Sequence, residues 1–162
     1  MQNIKAALIW ITDILKKHHV LFQITGGLAA RAYGATRPIE DIDIDIPEDK
    51  FDIIKNEVAG FITYGPDQFK SNTWDLLLMT LNYQGQVIDL SGAYQTKIFN
   101  GKTGLWQGLS EDLSKTHSKN ILGLQLPVIP LDVLIAYKEA LSREVDIIDI
   151  QEIAKVRLGS KP

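Results

Sequence analysis

At 162 residues, with 45% apolar and 23% charged side chains, the chain has the size and composition of one folded domain with a proper core. A net charge of −3 gives no sign of the basic face that a duplex DNA binder normally carries and leaves room for a small nucleotide or an RNA end. Without cysteine there is no disulfide framework, thiolate metal site or cysteine nucleophile, which suits a reducing cytosol.

The N-terminus carries Lys5 and no signal-peptide cleavage pattern, and no apolar run reaches the length of a membrane span. The expectation is a cytoplasmic protein with no membrane partner. Ile4, Ala7, Leu8, Ile11, Ile14 and Leu15 recur at the spacing of an amphipathic helix over residues 3–18. Residues 20–25 read as a short buried strand. Gly26-Gly27 and a helical segment over 28–33 follow, with Gly34 as its stop. Pro38 disfavours helix at Arg37, so 36–40 is a loop.

Residues 41–46 then alternate strictly between aspartate and isoleucine, the mark of a strand with an apolar face and an acidic one. Pro47, Glu48 and Asp49 suit the first turn of a helix running to about Val58. Beyond it, 61–64 reads as a short strand and the residues through Thr73 as a polar loop. Residues 74–83 and 87–90 form a hairpin about Gln84-Gly85-Gln86. Residues 97–102 and 105–107 flank another glycine turn, as in a smaller hairpin, and 108–120 carries no clear pattern. Helices are expected from Pro130, with Leu134, Ile135, Tyr137, Lys138 and Leu141, and over 146–156, with Ile147, Ile150, Ile153 and Ala154. The fold class is α/β (α+β): a small mixed sheet flanked by helices, one domain over 1–162, with a core at about 20–92 and a helical part at about 129–157.

The acidic face of the alternating strand is the chemical signal. Aspartates aligned along one side of a strand repel one another, and aspartate is a poor strand former. A divalent cation would offset the repulsion, and Mg²⁺ is held by one or two carboxylates together with substrate phosphates. Gly26-Gly27, at a strand-to-helix junction, lets the backbone approach a phosphate closely; a plain tight turn is the alternative. Neighbouring residues on one face of a strand stand ~6.5–7 Å apart, so Asp41 and Asp43 form a carboxylate pair suited to such a cation. Asp45, one step further, reads as a supporting or surface residue.

Gly26-Gly27-Leu28-Ala29-Ala30, Thr36-Arg37 and Asp41-Ile42-Asp43-Ile44 together resemble the signature of the DNA polymerase β-like nucleotidyltransferase superfamily. The resemblance is strongest to its small bacterial branch, with the aminoglycoside and lincosamide nucleotidyltransferases and the abortive-infection toxins. It covers about residues 20–92 well and the C-terminal helices loosely. A broader likeness to bacterial proteins called MazG-related does not extend to MazG pyrophosphohydrolase chemistry, whose helical acidic motif this sequence lacks.

The resemblance implies a nucleotidyltransferase fold and two divalent ions, Mg²⁺ or Mn²⁺, held by Asp41, Asp43 and a third carboxylate from a neighbouring strand. Asp89, in Val87-Ile88-Asp89-Leu90, matches the hydrophobic-Asp-hydrophobic third motif and would be metal ligand or general base; Asp75 is the competitor. Arg37 is implied as a phosphate ligand or a clamp on the acidic strand, and Lys138 as a contact to the triphosphate. Each is alternatively an ordinary surface cation, as is Arg143. The three histidines show no zinc-ligand spacing and read as surface residues.

The implied activity is transfer of a nucleoside monophosphate from a nucleoside triphosphate (ATP among the candidates) to a hydroxyl of a small molecule, a protein or an RNA end, with release of pyrophosphate. The alternative is a catalytically inactive nucleotide-binding or toxin–antitoxin-type interaction protein. Residues 93–128, with Tyr94 and Trp106, are the expected acceptor wall.

Overall fold

A computed structural model describes residues 2–159. In chain order it contains helix α1 (Gln2–Lys17), strand β1 (Gln23–Thr25), helix α2 (Gly26–Ala32) and strand β2 (Asp41–Ile46). A 3-10 turn at Glu48–Lys50 leads into helix α3 (Phe51–Val58). Strands β3 (Ile62–Lys70), β4 (Trp74–Tyr83), β5 (Gln86–Gly92), β6 (Thr96–Asn100), β7 (Leu105–Leu109), β8 (His117–Ile121) and β9 (Leu124–Val128) follow, and helices α4 (Leu131–Leu141) and α5 (Glu144–Gly159) close the chain. No helix among the described residues is long and apolar enough to cross a membrane.

The strands make one mixed sheet in the order β7-β6-β4-β5-β2-β1-β9-β8, with β3 on the other side of β4. The alternating strand β2 lies inside it, antiparallel to β1 and parallel to β5. Register places Ile44 between Ile24 and Leu90, with Met79 beyond Leu90, all without exposed surface. The adjoining row joins Ile42, Ile88 and Leu81. These rows pack into one apolar cluster with Leu8 and Ile11 of α1, Leu28 and Ala29 of α2, and Phe51 and Ile54 of α3. Because side chains alternate, seating the isoleucines in the core forces Asp41, Asp43 and Asp45 onto the opposite face.

The β4–β5 hairpin turns through Gln84 (φ 51°) and Gly85 (φ 88°), two consecutive positive-φ residues as the tight primed turns require. The sheet is larger than the small one expected. The segment read as a short strand and polar loop is a nine-residue strand, β3, whose register slips twice between Ile62 and Asp67 and so breaks the alternation. The unpatterned stretch before Pro130 contributes the β8–β9 hairpin, whose outer strand is exposed along most of its length and carries little apolar signal.

Ile44 is fully buried on a strand paired on both sides. Ile44→Ala is expected to cost roughly 2–5 kcal/mol through the cavity it leaves. The measurement is urea denaturation, with the midpoint falling at an unchanged slope.

Candidate active site

The polar face of the sheet is ordered in rows. One row runs Thr25–Asp43–Asp89–Thr80 across β1, β2, β5 and β4, and the next runs Gln23–Asp45–Ser91–Leu78. Asp43 and Asp89 are thus direct neighbours on parallel strands, and Asp41 sits one step along β2. Asp41, Asp43 and Asp89 each offer a carboxylate oxygen to a cluster in which all three atoms lie within 4.8 Å of one another. Thr80 donates its hydroxyl to Asp89 Oδ1 at 2.6 Å and fixes that carboxyl. Asp75 is elsewhere: it accepts from Gln68 at 2.6 Å and lies 3.9 Å from Lys70, outside the cleft.

The cluster is electrostatically unfavourable without a cation. Burial, reinforced by Asp41, Asp89 and Asp45, raises the Asp43 carboxyl well above its usual range, with Lys138 opposing. Burial also raises Asp89, with Asp41 adding to the effect and the Thr80 hydrogen bond opposing it. Crowded oxygen donors with disfavoured anionic forms are the donor set that a hard divalent cation satisfies.

Gly26 follows β1 directly with φ 62°, and a Cβ there would collide with the Asp43 carboxylate. Only glycine meets both demands. A Cβ on Gly27 would come within 2.7 Å of an Arg37 guanidinium nitrogen, so the guanidinium lies over Gly27.

These residues border a cleft of about 550 Å³. Its lining includes the acidic Asp41, Asp43, Asp45, Asp89 and Glu111 and the apolar or aromatic Phe69, Trp74, Leu76, Leu78 and Tyr137. The expected acceptor wall at 93–128 therefore supplies only part of the lining, through Ala93, Thr96, Leu109 and Glu111. Tyr94 and Trp106 do not border the cleft; Trp106 packs edge-on against Phe99 at 5.8 Å.

Asp45 is 9% exposed, not a surface residue. It accepts from Gln23 Nε2 at 2.9 Å, and burial, with Glu111 and Glu48 nearby, raises it to about 7 despite that bond. Glu111, absent from the sequence reading, is also buried and raised by burial, and Gln23 steadies it as well. Its position among polar loop residues gave no periodic signal.

Lys138 is no solvated helix cation: it is 1% exposed, with its ammonium 3.3 Å from Asp146 and 2.9 Å from Asp149. Arg37 Nε donates to Asp149 at 2.9 Å. Arg143 pairs with Asp146 at 2.7 Å and stacks 4.8 Å over Trp74, whose indole donates to the Tyr137 hydroxyl at 3.2 Å. Asp146 and Asp149 were not singled out in the sequence; their three-residue spacing among isoleucines was the available signal. Outside the cleft, His18 bonds Glu57 at 2.8 Å and His117 lies at the surface by Tyr33.

No protein-family model matches the chain, and no curated protein matches it in sequence. Solved structures do match in fold. A Thermotoga maritima protein provisionally described as a nucleotidyltransferase superposes with a TM-score of 0.70 over 99% of this chain and 96% of its own, at 20% identity. The lincosamide antibiotic adenylyltransferase LnuA, with lincomycin bound, gives 0.59 over 91% and 94%, at 15% identity. The antibiotic-resistance protein ANT(2″)-Ia in complex with adenylyl-2″-tobramycin gives 0.59 over 96% and 90%, also at 15% identity. The chain has the nucleotidyltransferase fold, as its glycine and aspartate motifs led us to expect.

Asp45 provides a test of the cleft's electrostatics. Its folded-state value near 7 lies above the ordinary carboxylate value, so the native state holds a proton that the unfolded chain releases. Stability should therefore fall as pH rises from about 4 to about 7 and be level above that. Asp45→Asn, measured by thermal unfolding with chelator present, should match wild type near pH 4 and exceed it at pH 8. At ~1.4 kcal/mol per pKa unit the gain is bounded at about 4 kcal/mol.

Proposed function

We propose that this protein is a metal-dependent nucleotidyltransferase that moves a nucleoside monophosphate from a nucleoside triphosphate to a hydroxyl acceptor. The observation that carries the reading is the meeting of Asp41, Asp43 and Asp89 within 4.8 Å, on a cleft floor bordered by the glycine pair. The activities named for LnuA and ANT(2″)-Ia, adenylyl transfer to antibiotics, support nucleotidyl transfer for the shared fold and leave the acceptor of this chain open.

In this reading Asp41 and Asp43 would hold the divalent cations, Mg²⁺ or Mn²⁺, with Asp89 beside them as third ligand or base. Bound there, such ions would polarise the phosphates and the acceptor hydroxyl and offset charge on the leaving pyrophosphate. Gly26 and Gly27 let the triphosphate approach the backbone, with Arg37 beside it and Lys138 as a fixed positive charge behind Asp43. The acceptor oxygen forms a bond to the α-phosphorus, the bond to the β-phosphate bridging oxygen breaks, and pyrophosphate leaves. Asp89, oriented by Thr80, takes the acceptor proton or serves as third ligand. Catalysis then rests on positioning and electrostatics.

The acceptor class is found by incubating the protein with each α-labelled nucleoside triphosphate, Mg²⁺ or Mn²⁺ and a lysate, and following label into small molecules, protein and RNA. Once an acceptor is in hand, Asp89→Asn should lower transfer ~10²–10⁴-fold with little change in nucleotide affinity. Asp75→Asn should be near neutral. Asp75 essential and Asp89 dispensable would sink the assignment.

Metal dependence has a readout that needs no acceptor. Mg²⁺ with nucleotide should raise the melting temperature of wild type, because the ligand binds only the folded site. Asp41→Asn should lose most of that increment, and a full increment in the variant would remove Asp41 from the metal site.

A further inference from the structure

Arg37 and Lys138 come from separate parts of the chain, a loop and helix α4, yet a single carboxylate on α5 fixes both. Asp149 has no exposed side-chain surface. Its Oδ1 accepts from Arg37 Nε at 2.9 Å, and its Oδ2 lies 2.9 Å from the Lys138 ammonium, an electrostatic contact rather than an aligned hydrogen bond. One turn along the same helix, Glu152 accepts from the backbone N–H of Thr36 at 2.7 Å and from its hydroxyl at 2.8 Å. Consecutive residues of the loop that leads into β2 are thus docked onto α5 by two acidic side chains.

The orientation given to Arg37 bears on the cleft. With Nε committed to Asp149, the end-on edge of the guanidinium, Nη1 and Nη2, is left over Gly27, where the backbone is bare. That edge is the one that makes paired contacts to a phosphate. Charge follows the same logic. Arg37, Lys138 and Arg143 face only Asp146 and Asp149 in this network, which leaves a surplus positive charge beside the acidic cluster.

We propose that Asp149 is a positioning residue for nucleotide binding: it sets the guanidinium of Arg37 over Gly27 to receive the triphosphate, with Glu152 anchoring the loop. The inference rests on the nucleotidyltransferase reading and extends the nucleotide site to α5, a helix remote in sequence from the glycine and aspartate motifs.

The test uses the full chain and needs no acceptor. Affinities for the Mg²⁺ complexes of ATP, GTP, CTP and UTP are measured by calorimetry for wild type, Asp149→Asn, Arg37→Ala and the double variant, and the Arg37 Nε–H resonance is followed by NMR. Asp149→Asn should weaken the preferred nucleotide about 10-fold or more and move the Nε–H resonance towards that of a solvated arginine. The double variant should bind no more weakly than Arg37→Ala alone, because coupled residues are non-additive.

Additive losses, or wild-type affinity in Asp149→Asn, would overturn the positioning role and leave the transferase reading intact. If wild type bound none of the four nucleotides, the transferase reading would fall and the inference with it. Removing one member of a buried ionic cluster can unfold a protein. Should Asp149→Asn not fold, Glu152→Gln at the loop surface decides: a several-fold loss of affinity with faster exchange of the Thr36 amide supports the proposal, and unchanged affinity overturns it.

Discussion

The crowding of three carboxylates on adjacent strands is the constraint to which the rest of the cleft answers. Asp43 and Asp89 are register partners in a parallel pair, and Asp41 stands one step away on the same face. Like charges placed opposite one another destabilise a sheet. The arrangement persists because the other face of β2 is committed to the core: Ile42, Ile44 and Ile46 have no exposed surface, and a one-residue slip would bury the aspartates in their place. The same isoleucines that stabilise the sheet therefore hold the acidic cluster together.

Neighbouring elements respond to that cluster in different ways. Gly26 gives up a side chain so that α2 can begin against the Asp43 carboxylate. Thr80 gives Asp89 a hydrogen bond, which fixes one carboxyl orientation without neutralising it. Lys138 supplies a cation close enough to lower Asp43, yet is itself held by Asp146 and Asp149. A fully buried lysine is tolerable only when paired, and its two carboxylates meet that demand. Positive charge is thereby fixed beside the site without being consumed by it.

What was legible in the sequence follows from where each signal was local. The period of two in β2 announced both the core face and the acidic face, and the glycine pair, 14 residues before Asp41, belongs to the element that folds against them. Asp89 was legible because apolar neighbours placed it within a strand. The network on α5 was not. Ile147, Ile150, Ile153 and Ala154 suggest an apolar inner face, and Ile153 is buried, yet Ile147 is 48% exposed while Asp146 and Asp149 are buried on the same side as Ile153. Helical periodicity assumes that only apolar residues point inward, and here ion pairs to Lys138, Arg37 and Arg143 place two aspartates on the inner face with Ile153. The acceptor side was obscure for a related reason. Trp74, Leu76 and Leu78 looked like ordinary strand residues, because a cleft wall and a core wall use the same side chains.

The buried ionic stretch of α5 also explains how the chain closes its cleft. The sheet alone presents the acidic cluster on an open face, where water would screen every interaction and a ligand would meet only one wall. Helices α4 and α5 close it from the side: Tyr137 bonds Trp74, Arg143 stacks on the same indole, and Arg37 is drawn to Asp149. Each contact joins a C-terminal residue to one from the earlier part of the chain. An α5 rotated to bury Ile147 instead would turn Asp146 and Asp149 to solvent, leave Lys138 buried without a partner and release Arg37 from Gly27. Burying Asp146 and Asp149 beside Ile153 along this helix is therefore what couples the C-terminal helices to the chemistry on the sheet.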